Sequence, residues 1–192
     1  MTIDPIARFH RWYARARAAR ILQPEAMALA TADGRGRPTV RMVLLKHADR
    51  DGFVFYTNGH SRKGRELRRN PCAALVFHWD VLGRQVRIEG PVAEVDAAEA
   101  DAYWATRPRA SQLAALASEQ SAPITSRDAL VARWQRLKRR YRGAPVPRPP
   151  HWTGYRVRPD SIEFWTHRDH RLHDRELFTR TRSGWTQLRL QP

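Results

Sequence analysis

The 192-residue sequence contains a single cysteine and very little lysine. One cysteine excludes an internal disulfide, and Cys72 follows Asn70-Pro71 in the apolar run Cys72-Ala73-Ala74-Leu75-Val76-Phe77, which predicts a buried small hydrophobe rather than a nucleophile. No window approaches the roughly 18 consecutive apolar residues of a membrane span. The start, Met1-Thr2-Ile3-Asp4-Pro5, lacks the basic-then-apolar order of a signal peptide, so the chain is read as cytoplasmic. No dinucleotide fingerprint follows Gly34-Arg35-Gly36, and neither a phosphate-loop motif nor a Gly-x-Ser-x-Gly elbow occurs, which sets those enzyme classes aside. His167, His170 and His173 alternate faces on an extended chain with no acidic cluster beside them, so no metal site is expected.

What is present is arginine. The chain carries 32 arginines against Lys46, Lys63 and Lys138, and its formal net charge is +16. Such an excess attracts anions, whether nucleic acid, an acidic membrane surface or a phosphorylated small molecule, and charge alone does not choose among them. With 42% hydrophobic residues, residues 1–192 suffice for one domain with a substantial core.

The segment 1–22 reads as an N-terminal helix, with Asp4 as cap, Pro5 at the first helical position and Ile6, Phe9, Tyr13 and Ala16 on one face. Residues 26–31, 39–46, 53–57, 72–79 and 85–95 are short, apolar and rich in β-branched or aromatic side chains, so they read as strands. Asp33-Gly34 and Asp51-Gly52 supply hairpin turns. Helices are expected over 61–70, 96–106, 111–119 and 126–141, the last a basic helix with solvated charges and an apolar stripe of Leu130, Trp134 and Leu137. Four prolines make 144–151 a stiff connection within the domain, and strands follow at 152–157, 161–167, 172–179 and 185–190. These elements predict an α+β domain built on an antiparallel β-barrel with surrounding helices.

Several cations sit where anions bind. Arg41 and Lys46 bracket an apolar strand and, by alternation, face opposite ways unless a bulge intervenes. Tyr56-Thr57-Asn58-Gly59-His60-Ser61-Arg62-Lys63 runs from a strand end into a helix N-terminus, whose free N–H groups and dipole favour phosphate. Tyr103, Arg107 and Ser111 recur every four residues across a helix end, a loop and the next helix start, again suiting an anion. In His170-Arg171-Leu172-His173-Asp174-Arg175, strand alternation places Arg171, His173 and Arg175 on one face, where mutual repulsion calls for an anion or an electron-rich ring.

Taken together, the strings Arg41-Met42-Val43-Leu44-Leu45-Lys46, Phe55-Tyr56-Thr57-Asn58, Ser61-Arg62-Lys63, Arg84-Gln85-Val86, Arg107-Pro108-Arg109-Ala110-Ser111, Gln120-Ser121, Glu163-Phe164-Trp165 and Arg171-Leu172-His173-Asp174-Arg175 resemble the pyridoxamine 5′-phosphate oxidase family, in order and spacing over nearly the whole chain. The resemblance implies an FMN-binding split β-barrel, a homodimer with FMN at the subunit interface, and oxidation of pyridoxamine or pyridoxine phosphate to pyridoxal phosphate by oxygen, without nucleic-acid or membrane partners. By motif it implies that Arg41, Arg62, Lys63, Gln120 and Ser121 hold the FMN phosphate end. Tyr56, Thr57, Gln85, Trp165 and Arg175 would add flavin contacts, together with the stretch Met42, Val43, Leu44, Leu45 and Lys46. Lys46, Tyr103, Arg107 and Ser111 would hold the substrate phosphate, and Arg171 and His173 would orient the pyridine ring for hydride transfer as the catalytic pair. Members of that family often carry a longer segment ahead of the Asp-Pro helix, with residues that close over substrate, whereas this chain starts almost at that helix.

A related flavin oxidase of phenazine biosynthesis, acting on a non-phosphorylated substrate, is the second reading; retention of Lys46 and of Arg107 to Ser111 favours the phosphorylated one. A basic nucleic-acid-binding module, resting on the net charge and on the 127–142 helix with Trp134 and Tyr141, is the third. The motif cations are interleaved with apolar strand residues rather than laid out as a continuous stripe, which favours the oxidase.

Overall fold

The computed structural model describes residues 4–192. Met1 to Ile3, on which the signal-peptide reading and the start of the expected 1–22 helix rest, lie outside the described residues. Helix α1 (Pro5–Ala18) begins where the Asp4 carboxylate accepts hydrogen bonds from the N–H groups of Ile6 and Ala7. It ends four residues short of 22, since Arg20 turns left-handed at φ 56° and reverses the chain.

Ten strands form one antiparallel system: β1 (Ala26–Ala32), β2 (Pro38–Leu44), β3 (His47–Asp49), β4 (Gly52–Asn58), β5 (Cys72–Trp79), β6 (Arg84–Glu94), β7 (Trp152–Val157), β8 (Ser161–Thr166), β9 (Asp174–Thr181) and β10 (Gly184–Leu190). The main path runs β10-β9-β8-β6-β5-β1-β2, and β4 joins through β7, which pairs with the far end of β6. The barrel therefore closes through one strand. Residues Arg84–Glu89 of β6 pair with β8, while Val92–Glu94 pair with β7. Gly90 sits at the changeover because any Cβ there would come within 2.0 Å of the Arg158 carbonyl oxygen. Among the described residues no ladder joins β2 to β4, and the barrel is split there.

Three expectations need correction. β2 stops at Leu44, because the chain then turns into β3, a strand too short and too polar to be seen in the sequence. The second hairpin accordingly joins β3 to β4, and alternation no longer relates Arg41 to Lys46. β9 starts only at Asp174, so Arg171, His173 and Arg175 do not share a strand face; Asp169–Arg171 is a short 3-10 turn with His170 and Arg171 at φ 56° and 64°. Cys72, at the first position of β5, is exposed: the run that follows supplies the buried residues, at Ala73, Leu75 and Phe77.

The barrel interior is aromatic. Phe9 of α1 plugs it, meeting Phe53 at 4.9 Å edge to face and Phe77 at 5.1 Å, with Trp79, Phe55 and Phe164 also fully buried. Helix α2 (Arg62–Arg69) follows β4. A second apolar cluster lies outside the barrel, where Trp104, Leu113, Val146 and Trp152 bring together α3 (Ala97–Thr106), α4 (Arg109–Ala117), the proline-rich connection and β7. Trp104 Nε1 donates to the Val146 carbonyl at 2.9 Å and fixes that connection. Helix α5 (Arg127–Arg140) rests on this cluster with no buried residue, its Trp134 and Leu137 partly covered and its charges solvated as expected.

Candidate functional site

A cavity of about 370 Å³ opens between the end of β4, the β2 strand and the α3–α4 junction. Its lining includes Met42, Val43, Leu44, Lys46, Tyr56, Thr57, Lys63, Tyr103, Arg107, Ser111 and Gln120. Two groups of cations that are distant in sequence thus share one space. A neighbouring cavity of about 320 Å³, lined in part by Arg107, Ser111, Gln120 and Trp152, adjoins it.

Lys63 enters from the first turn of α2. Ser61 caps that helix, its Oγ accepting from the Gly64 N–H at 3.4 Å. The Lys63 side chain is buried, and Nζ donates to Gln120 Oε1 at 3.0 Å, Thr57 Oγ1 at 3.3 Å and Ser61 Oγ at 3.4 Å. All three acceptors are neutral. Burial, together with the nearby Arg41 charge, lowers the Lys63 pKa to about 8 against a smaller upward pull from Glu66. A buried ammonium without a direct carboxylate partner is a seat for an incoming anion.

Arg41 and Arg62 are held differently. Both donate to Glu66, a carboxylate only 5% exposed: Arg62 Nε to Oε1 at 2.9 Å, Arg41 to Oε2 at 3.2 Å. Thr31 and Thr39 hydroxyls donate to the same Oε2 at 2.5 and 2.7 Å. Burial alone would raise the Glu66 pKa, but these hydrogen bonds bring it down to about 2. One signal in the sequence points to this residue, its position four after Arg62 on a helix, and it is too common a spacing to single Glu66 out. The Arg62 N–H also donates to Ser121 Oγ at 3.1 Å, and Ser121 is held left-handed at φ 75°.

On the opposite wall, Tyr56 stacks on Tyr103 at 4.0 Å and on Trp152 at 5.3 Å. The Arg107 guanidinium lies 5.0 Å over Trp152, and its Nε is buried with no hydrogen-bond partner. Desolvation lowers the Arg107 pKa, and Tyr103 offsets this only in part. An orphaned guanidinium N–H costs free energy unless a ligand acceptor meets it.

Other expected residues lie apart. Leu45 packs into the barrel core, while its neighbour Lys46 is exposed at the cavity rim. Gln85, Trp165, Arg171, His173 and Arg175 are absent from the cavity's lining. They gather at the β6–β8–β9 end instead: Gln85 pairs with Trp165 across strands, and Trp165 with Arg175. Arg175 is clamped by Glu163 at 2.8 and 3.1 Å, which raises its pKa. The His173 ring packs 4.5 Å from Trp165, and its Nδ1 accepts the Arg168 N–H at 3.1 Å, leaving Nε2 as the donor of the neutral ring.

The chain matches two family models. The one described as pyridoxamine 5′-phosphate oxidase covers residues 14–141, and that described as the pyridoxine 5′-phosphate oxidase C-terminal dimerisation region covers residues 152–192. A pyridoxine/pyridoxamine 5′-phosphate oxidase of Sphingopyxis alaskensis is 57% identical over 100% of this chain and 89% of its own length. A like-named protein of Rubrobacter xylanophilus is 56% identical over 98% and 87%. Among solved structures, PhzG of Burkholderia lata in complex with tetrahydrophenazine-1-carboxylic acid superposes with a TM-score of 0.93 at 36% identity, covering 98% of this chain and 93% of that one. A pyridoxamine 5′-phosphate oxidase-related, FMN binding protein of Nostoc punctiforme shares the fold at a TM-score of 0.79 and 17% identity, with each chain covered in full.

Proposed function

Given that the chain belongs to the pyridoxamine 5′-phosphate oxidase family, a family of oxidoreductases, we propose that it oxidises pyridoxamine or pyridoxine 5′-phosphate to pyridoxal 5′-phosphate with FMN and oxygen. The observation that carries the reading is a pair of cations in one cavity with no carboxylate partner, Lys63 bonded only to neutral groups and Arg107 with its buried Nε unpartnered. Two phosphates, one from FMN and one from substrate, need two such seats.

Lys63, Arg41, Arg62, Gln120 and Ser121 hold the FMN phosphate end in this reading, with Tyr56 and Thr57 alongside. Arg107 receives the substrate phosphate, helped by Lys46, the Tyr103 hydroxyl and Ser111. The chemistry that bound FMN would supply is acceptance of a hydride from the substrate C4′ carbon, with oxygen as the final two-electron acceptor and hydrogen peroxide as its product. The amine substrate becomes an imine, which takes up water and releases ammonia, whereas the alcohol yields the aldehyde directly. The protein supplies position rather than a covalent nucleophile.

Gln85, Trp165, Arg171, His173 and Arg175 lie apart from the cavity of their own chain, and most fall in the stretch matching the dimerisation region. A homodimer that sets this group of one subunit against the cavity of the other completes the site, with Arg171 and His173 over the pyridine ring. The strained φ of Arg171 fits a residue held for function. The likeness to PhzG supports a second reading, a non-phosphorylated tricyclic substrate. The orphaned Arg107 Nε favours the phosphate.

The test is reconstitution. Purified protein is expected to bind FMN, turn yellow, and convert pyridoxamine 5′-phosphate to pyridoxal 5′-phosphate with equimolar oxygen uptake. A protein that binds no FMN, or that binds it and leaves both phosphorylated substrates unchanged, contradicts the proposal.

A further inference from the structure

Behind the aromatic wall lies an ion network that no motif announced. Arg156, near the end of β7, donates from Nη1 to both oxygens of Asp49 at 2.9 Å and from Nη2 to both oxygens of Glu99, at 3.1 and 3.3 Å. All three side chains are about two-thirds buried or more, with exposures of 22%, 32% and 34%. Burial alone would destabilise these charges; the double fork reverses the balance, raising the Arg156 pKa and lowering that of Asp49.

The network reaches the cavity through Glu99. This residue stands one helical turn before Tyr103 on α3 and accepts a long 3.5 Å hydrogen bond from the Tyr56 hydroxyl. Burial, reinforced by the Glu99 carboxylate, pushes the Tyr56 pKa up to about 12, so the phenol remains a donor. Tyr56 and Tyr103 are the rings stacked at 4.0 Å. Arg156 therefore ties α3 to the β3–β4 hairpin and to β7, and it does so from the rear of the rings that line the cavity. A stack of two tyrosines supplies area but little orientation, whereas a guanidinium with a carboxylate on each of its two terminal nitrogens restrains the elements that carry them.

We propose that Glu99, locked through Arg156 to Asp49, is a positioning residue for the phosphorylated substrate: it sets α3, and with it Tyr103, relative to Tyr56 and Arg107. This role rests on the reading of the cavity given above. Glu99 touches neither substrate nor cofactor in it; its effect passes through the two rings.

The test uses the FMN-loaded enzyme and the isosteric variant Glu99→Gln, which keeps the shape and removes the charge that holds Arg156. The KM for pyridoxamine 5′-phosphate is expected to rise about ten-fold, as misplacement of a positioning group does, with kcat within about two-fold of wild type. Competitive inhibition by inorganic phosphate, which probes the Arg107 seat without any chemistry, should weaken by the same factor. Glu176→Gln breaks the similarly buried Arg8–Glu176 pair, whose residues do not line the cavity, and should leave both quantities unchanged. With the wild type active, an unchanged KM and phosphate inhibition in Glu99→Gln, or an equal shift in Glu176→Gln, overturns the positioning role alone. Loss of FMN from Glu99→Gln assigns the residue to the cofactor end and also overturns it. A wild type that does not turn over the phosphorylated substrate sinks the cavity reading and this role together.

Discussion

Lys63 is an ammonium brought indoors and given only neutral acceptors. Its pKa of about 8 in the fold lies below the ordinary 10.5. Between those values the unfolded chain binds the extra proton, so the ligand-free protein gains stability as pH rises through that window. Anion binding runs the other way, because the phosphate requires the charged form. FMN affinity is expected to stay level from pH 7 to about 8 and then fall, followed by flavin fluorescence. A Lys63→Gln variant should bind weakly at every pH with no such break. A wild-type profile that is flat to pH 10 contradicts the assignment of Lys63 to the phosphate. Glu66, with its pKa near 2, remains ionised over this range and does not confuse the reading.

Among the elements, those with strong local signals were legible. α1 was marked by Asp4-Pro5 and its apolar stripe, and β1 and β2 by alternation and the Asp33-Gly34 turn. β3 escaped because three residues carry no period, and without it Lys46 reads as the end of a strand rather than as a residue of the rim. The C-terminal group is hidden for a related reason: alternation does not hold across His170 and Arg171, whose positive φ values break the strand pattern. Cations of the site could be read from motifs, whereas Glu99 and Asp49 could not. A lone carboxylate gains its meaning only when folding brings an arginine to it. Gly154 of β7 shows the same dependence on packing. A Cβ there would lie 2.7 and 2.9 Å from the Tyr56 ring and 2.9 Å from Val95 Cγ2. Gly154→Ala should therefore cost about 1–3 kcal/mol by overpacking and raise the KM for the phosphorylated substrate, as thermal melts and steady-state kinetics would show. A variant with wild-type melting and KM would mean that Tyr56 has room to move and that the wall is not fixed from this side.

At the scale of the whole molecule, the net charge of +16 divides into unequal parts. Most arginines, including those of α5, are solvated or spent on carboxylates, and they carry no functional argument. No helix among the described residues is long and apolar enough to cross a membrane. A handful of cations, set around one cavity, carries the proposed function. The most direct measurement is the ratio of kcat/KM for pyridoxamine 5′-phosphate to that for pyridoxamine, in wild type and in Arg107→Ala. The wild type should prefer the phosphorylated substrate strongly, and the preference should shrink by about 10²-fold or more in Arg107→Ala, the loss of a buried charge-assisted contact of roughly 3 kcal/mol. Equal turnover of both substrates by the wild type, or a preference untouched by Arg107→Ala, would contradict the account.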